Sequence, residues 1–134
     1  MDTAIVDELS KRFIRYLETG DEPQSVFAPD IFLDFTLPTW RIQAQGLRDV
    51  HDIRMRGHPT SGTVPRWSVL PTPNGFAMEA EERWTDSKGD WYCREAFFAE
   101  IREGKISRLA VYCTGDWDSA RQASHRAQVT LLVS

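Results

Sequence analysis

Apolar residues recur at helical spacing over residues 3–19. Val6, Leu9, Phe13, Tyr16 and Leu17 fall on one face, and Gly20 follows as a stop. Asp21 and Pro23 mark a short second helix, with proline near its first turn, that ends by Ala28-Pro29. A short strand, Ile31–Leu37, is closed by Pro38. After Gly46 the helical period returns over 47–56, with Leu47, Val50 and Ile53 as the inward stripe, and Gly57 and Pro59 end it.

Beyond Pro59 the period changes to two. Arg66–Leu70 reads as a strand, and Asn74-Gly75 is a strong turn signal. Residues 76–86, 91–102 and 105–114 read as three long strands joined at Lys88-Gly89 and Glu103-Gly104. Asp116 is the expected N-cap of a last helix over 117–127, and Val129–Val133 is expected as a final edge strand. Helices first and an antiparallel meander afterwards predict an α+β fold rather than a doubly wound one. The N-terminal helices are the only large apolar cover for the sheet. A strongly bent mixed sheet wrapped on them makes a cone with an interior cavity.

Pairing the long strands gives the first chemical lead. With Lys88-Gly89 as a two-residue turn, Met78 faces Ala99, Ala80 faces Phe97 and Trp84 faces Cys93, all on one side. The other side carries Glu79, Glu81, Arg83, Arg94 and Glu100. The same register sets Glu82 against Glu95 on the apolar side. Two ionised carboxylates ~5 Å apart repel by roughly 3 kcal/mol at an effective dielectric of ~20, more than a good cross-strand pair gains. Either one carboxyl keeps a proton, giving an acid and a base side by side, or a donor sits between them. Arg54, Arg66 and Arg108 are candidate bridges; solvation at the sheet rim or a one-residue slip are the plainer alternatives.

The third strand has two open registers. A two-residue Glu103-Gly104 turn brings Tyr112 opposite Glu95 as a donor. A glycine bulge instead turns Leu109, Val111 and Cys113 inward. Asp34, on the first strand, and His51, on the third helix, are further acid–base candidates, whereas His58 and His125 read as surface residues. Trp40, Trp67, Trp84 and Phe97 are candidates to line a pocket for a flat apolar ligand, Trp40 from a Pro-Thr-Trp-Arg loop near the mouth.

Composition narrows the classes. The 134 residues make one domain, 1–134, with no linker or repeat. A net charge of −4 argues against nucleic acid and against an anionic membrane surface as partner. No apolar run has the ~20 residues of a membrane span, and no signal-peptide core opens the chain. Cys93 and Cys113 stand 20 residues apart without a CxxC motif, so neither a disulfide framework nor a zinc site is expected. A reducing cytoplasm fits these thiols. There is no nucleotide-binding glycine pattern, and no cofactor is expected.

The N-terminal helix, Phe27-Ala28-Pro29-Asp30 leading into a strand, Gly46 opening a helix, Cys93–Glu100, and Glu103-Gly104-Lys105-Ile106 leading to Tyr112 carry a resemblance. In this order they resemble the nuclear transport factor 2-like superfamily, including ketosteroid isomerases, SnoaL-like polyketide cyclases, dehydratases and epoxide hydrolases. The resemblance implies a cone-shaped, homodimeric domain; the two-sided apolar third strand also fits a dimer face. In the isomerases the general-base Asp lies on the first strand, where the matching position here is Phe35, with Asp34 one residue earlier. Two readings follow. One is an enzyme doing acid–base chemistry on a hydrophobic small molecule, with Glu95 as base, Glu82 as its proton-sharing partner, and Tyr112 or His51 as donor. The other is a binding or assembly module with an arginine bridging the glutamates and a filled interior.

Overall fold

A computed structural model of the protein describes residues 1–133. The order is α1 (Thr3–Thr19), a 3-10 turn (Pro23–Ser25), β1 (Phe27–Leu37), β2 (Trp40–Gln45), α2 (Leu47–Gly57), β3 (Gly62–Thr72), β4 (Gly75–Asp86), β5 (Gly89–Arg102), β6 (Lys105–Cys113) and α3 (Ser119–Gln128). The strands form one open sheet in the order β2-β1-β6-β5-β4-β3. It is mixed, because β1 and β6 run parallel while the other neighbours are antiparallel. The expected α+β architecture is what the chain adopts.

Asp2 caps α1 by accepting from the Ala4 amide at 2.8 Å. Gly20 ends it in the left-handed region at φ 72°, and a β-carbon there would meet the Met55 sulfur at 2.9 Å. The apolar stripe of α1 packs into the sheet's inner face, where Phe13 meets Phe97 edge-on at 4.9 Å between centroids. Inner-face alternation is clean on β4 (Phe76, Met78, Ala80) and on β5 (Phe97, Ala99). Arg54 braces the helices. Its guanidinium donates to the Leu17 carbonyl at 2.9 Å and to the His58 carbonyl.

Several local expectations are corrected. The β4–β5 turn is Ser87-Lys88, closed by the Asp86–Gly89 pair, rather than Lys88-Gly89. Asp86 accepts from the Lys88 amide at 2.8 Å, and Asp first with Gly fourth is a type I turn signature. The register therefore moves by two residues, and every side chain keeps its face. After β5, Glu103 and Gly104 both have positive φ, 51° and 76°, which is a type I′ turn. The pairing then shifts by one between Ile101–Ile106 and Glu100–Arg108, and that bulge turns Leu109, Val111 and Cys113 inward.

The segment read as a loop at Trp40 is strand β2. The last helix starts two residues late, capped by Asp118 accepting from the Arg121 amide at 2.7 Å, not by Asp116. Residues 129–133 are not a strand, and Leu132 is 99% exposed. Among the described residues no helix is long and apolar enough to cross a membrane.

Candidate active site

Between the inner face of the sheet and helices α1 and α2 lies a cavity of about 740 Å³. Its apolar wall includes Phe13, Leu33, Phe35, Trp84, Phe97 and Val111. Such a volume is ordinary for a small-molecule site, and an apolar wall with a few convergent polar groups is its usual composition. Here the polar groups come from β2, α2 and its end, β4, β5, β6 and the stretch after β6, and Glu82, Glu95 and His58 stand together among them.

Glu82 and Glu95 are both buried inner-face residues that line the cavity. The register correction makes them diagonal rather than opposed: Glu82 pairs with Cys93, and Glu95 with Ala80. Their carboxyls still meet in a hydrogen bond. His58 completes the cluster. It is buried, lies flat on Trp84 with centroids 4.3 Å apart, and sets Nε2 at 3.1 Å from Glu82 Oε1. Its Nδ1 stands 3.0 Å from the Thr60 carbonyl.

The proton inventory follows from donor chemistry. The Thr60 carbonyl can only accept, so Nδ1 carries a proton. Contact between Nε2 and a carboxylate oxygen takes a second proton, and contact between two carboxyls takes a third. The shifts agree on where the last one sits. Burial raises Glu82, but hydrogen bonds with Glu95 and His58 and the charges of His58 and Arg54 outweigh it and hold this carboxyl below its ordinary range. Burial, reinforced by the charge of Glu82 and the hydrogen bond to it, pushes Glu95 well above its ordinary range. The two directions fit an ionised Glu82 beside a neutral Glu95 in a buried part of the wall. Cys93 adds its thiol at 3.7 Å from Glu95 Oε1.

The structure does not bring the other sequence candidates to this cluster. Asp34 points to the outer face, where Arg41 grips it at 2.8 and 2.5 Å; that hydrogen bond holds its carboxyl below the ordinary range. The bulge on β6 turns Tyr112 outward, 54% exposed and edge-on to Phe98. His51 is not among the α2 residues that line the cavity, which include Val50, Ile53 and Arg54; its Nδ1 lies 2.9 Å from the Tyr16 hydroxyl. Trp40 is 69% exposed at the start of β2 and Trp67 lies on β3, and neither lines the cavity. Of the proposed aromatic lining, Trp84 and Phe97 stand in the wall.

His58 is the functional candidate that sequence reading missed. Its signal was present: Val50, Arg54 and His58 recur every four residues, so His58 continues the inward stripe past the helix stop. Of the arginines that were alternatives as a bridge between the two carboxyls, Arg54 is engaged elsewhere. Arg54 lines the cavity, but its terminal nitrogens donate to backbone carbonyls.

No protein-family model matches the chain, and no curated protein matches it in sequence. Solved structures do match its fold. A nuclear transport factor 2-like protein from Anabaena variabilis superposes with TM-score 0.69 at 14% identity, over 85% of this chain and 90% of that one. A protein provisionally named an isomerase, from Bacillus subtilis, gives 0.67 at 14% identity, over 85% and 90%. One provisionally named a polyketide cyclase, from Xanthomonas campestris, gives 0.63 at 16%, over 81% and 90%. The chain has the nuclear transport factor 2-like fold.

Proposed function

We propose that the protein is an enzyme that moves protons on a hydrophobic small molecule, without a cofactor, by the acid–base pair in its cavity. Isomerisation, cyclisation, dehydration and epoxide opening share these requirements: an acid, a base and exclusion of water. The observation that carries this reading is the hydrogen-bonded chain His58–Glu82–Glu95 in the wall of an apolar cavity. The names of the isomerase-like and cyclase-like structural neighbours agree with it.

The resting proton belongs on Glu95, which makes Glu95 the acid and Glu82 the base, the reverse of the roles first read from the sequence. A neutral carboxyl in an apolar site also stabilises a developing oxyanion by donating to it. His58 positions Glu82 and keeps it ionised. Phe97 and Trp84 supply apolar wall to the substrate, with the Trp84 ring backing His58.

The test is proton exchange in deuterated water. A panel of hydrophobic ketones, β-hydroxy ketones and epoxides is incubated with the protein and followed by mass spectrometry. Exchange or turnover should appear with at least one class and fall about 10²–10⁴-fold in Glu95→Gln and in Glu82→Gln. Near-full activity in both variants overturns the assignment.

Two further parts of this reading concern the protein's setting. Phe98 and Tyr112, 53% and 54% exposed on the outer face, are where a second copy of the chain would pack. Sedimentation should then give a dimer that Phe98→Glu dissociates. The free thiols of Cys93 and Cys113 suit a reducing compartment.

A further inference from the structure

Cys93 and Glu95 alternate on β5 and so face the same way, and Cys113 stands directly across from Glu95 on β6. The β6 bulge is what turns Cys113 inward. All three side chains line the cavity. One ligand atom from each, two sulfurs and a carboxylate oxygen, lies within 4.8 Å of the others, and Cys93 Sγ is 3.7 Å from Glu95 Oε1.

These spacings have a specific meaning. A tetrahedral zinc ion, with bonds of about 2.3 Å to sulfur and about 2.1 Å to oxygen, holds its sulfurs about 3.8 Å apart and a sulfur and an oxygen about 3.6 Å apart. A disulfide is the competing use of two adjacent thiols, and the sheet disfavours it. Cys93 and Cys113 are diagonal across β5 and β6, and diagonal neighbours are about 7–8 Å apart, beyond the ~4.4–6.8 Å Cα separation a disulfide spans.

We infer that Cys93, Cys113 and Glu95 form a site for a thiophilic divalent cation, zinc above all, with its fourth position open to the cavity. Soft thiolates select zinc over magnesium or calcium, and three protein ligands with one open position is the pattern of accessible zinc centres. Two thiolates and a carboxylate carry three negative charges. The dication neutralises most of them, and Arg54 lies in the same wall. The spacing of the cysteines along the chain argued against zinc; their spacing across the sheet argues for it.

The site goes beyond the acid–base reading. The cation needs Glu95 as a carboxylate, and the acid needs its proton, so metal-bound and metal-free protein are exclusive states. Binding can be read without any substrate, so its failure leaves the acid–base reading standing.

The experiment is titration of the metal-free protein with cobalt(II) under a phosphine reductant. The expected result is one cobalt per chain, with a thiolate-to-cobalt charge-transfer band and the visible bands of a tetrahedral ion, both removed by one equivalent of zinc. Cys93→Ser and Cys113→Ser should each abolish the charge-transfer band, and Glu95→Gln should move the titration to higher cobalt, with circular dichroism confirming that each variant folds. A second measurement needs no variant: stoichiometric zinc should protect both thiols from a thiol reagent. No charge-transfer band with the native protein, or labelling at the same rate with and without zinc, overturns the site. So does loss of both thiols to a disulfide in air with no metal uptake in the reduced protein.

Discussion

The two faces of the sheet use the same residue types to opposite ends. On the outer face of β4 and β5, Glu81 meets Arg94 at 3.6 Å, Arg66 at 4.0 Å and the Tyr92 hydroxyl at 2.9 Å. Glu79 and Glu100 on the same face are exposed. One residue along, Glu82 faces inward and finds an imidazole and another carboxyl, in a wall that also holds Phe97, Trp84, two thiols and Arg54. What separates the two is the alternation of the strand. The outer arrangement neutralises charge with solvent-screened partners. The inner one combines the charges of His58 and Arg54 with shared protons, and proton sharing is what acid–base chemistry needs.

The largest effect that separates the faces is in stability. Glu82→Ala leaves His58 Nε2 and the Glu95 hydroxyl without partners in a buried wall, at about 1–3 kcal/mol each. Urea unfolding should show that loss. A variant as stable as the native protein would mean that the cluster is solvated.

That prediction turns on faces, and faces are what alternation made legible. Phe76, Met78, Ala80, Glu82 and Trp84 read inward in the sequence and are inward in the structure. The partners across the strands were less legible. A shift of two residues, set by the Asp86 turn, preserved each face but exchanged Glu95 for Cys93 opposite Glu82. The bulge after Glu103-Gly104 was one of two registers open on β6. It decided that Tyr112 lies outside and Cys113 inside, because both sides of that strand are apolar. His58 read as a turn residue since its partners, Glu82 and Trp84, come from a strand more than 20 residues later. Strand β2 went unread because Trp40–Gln45 has no buried side to give it a period, only half-buried Ile42 and Ala44.

A second variant separates stability from function. Replacing both carboxyls, Glu82→Leu with Glu95→Leu, removes the buried polar pair together. It leaves His58 Nε2 as the one stranded group, at about 1–3 kcal/mol, whereas Glu82→Ala strands the Glu95 carboxyl as well. The double variant should therefore unfold at equal or higher urea concentration than Glu82→Ala, and show no exchange activity. A double variant less stable than Glu82→Ala would assign the pair a structural role.

The smallest effect belongs to the outer face. Glu81→Ala removes an ion-pair hub, but its partners are exposed arginines, so its cost should stay below about 1 kcal/mol in the same unfolding assay. A loss matching that of Glu82→Ala would erase the distinction between the faces.

The most direct measurement is infrared difference spectroscopy of the metal-free protein at neutral pH. A buried neutral carboxyl absorbs as a protonated acid, apart from the ionised carboxylates of the surface. The native-minus-Glu95→Gln spectrum should contain one such acid band, and the native-minus-Glu81→Gln spectrum none. If the Glu95 difference shows only carboxylate, no proton is held in the cavity wall and the acid–base pair does not exist.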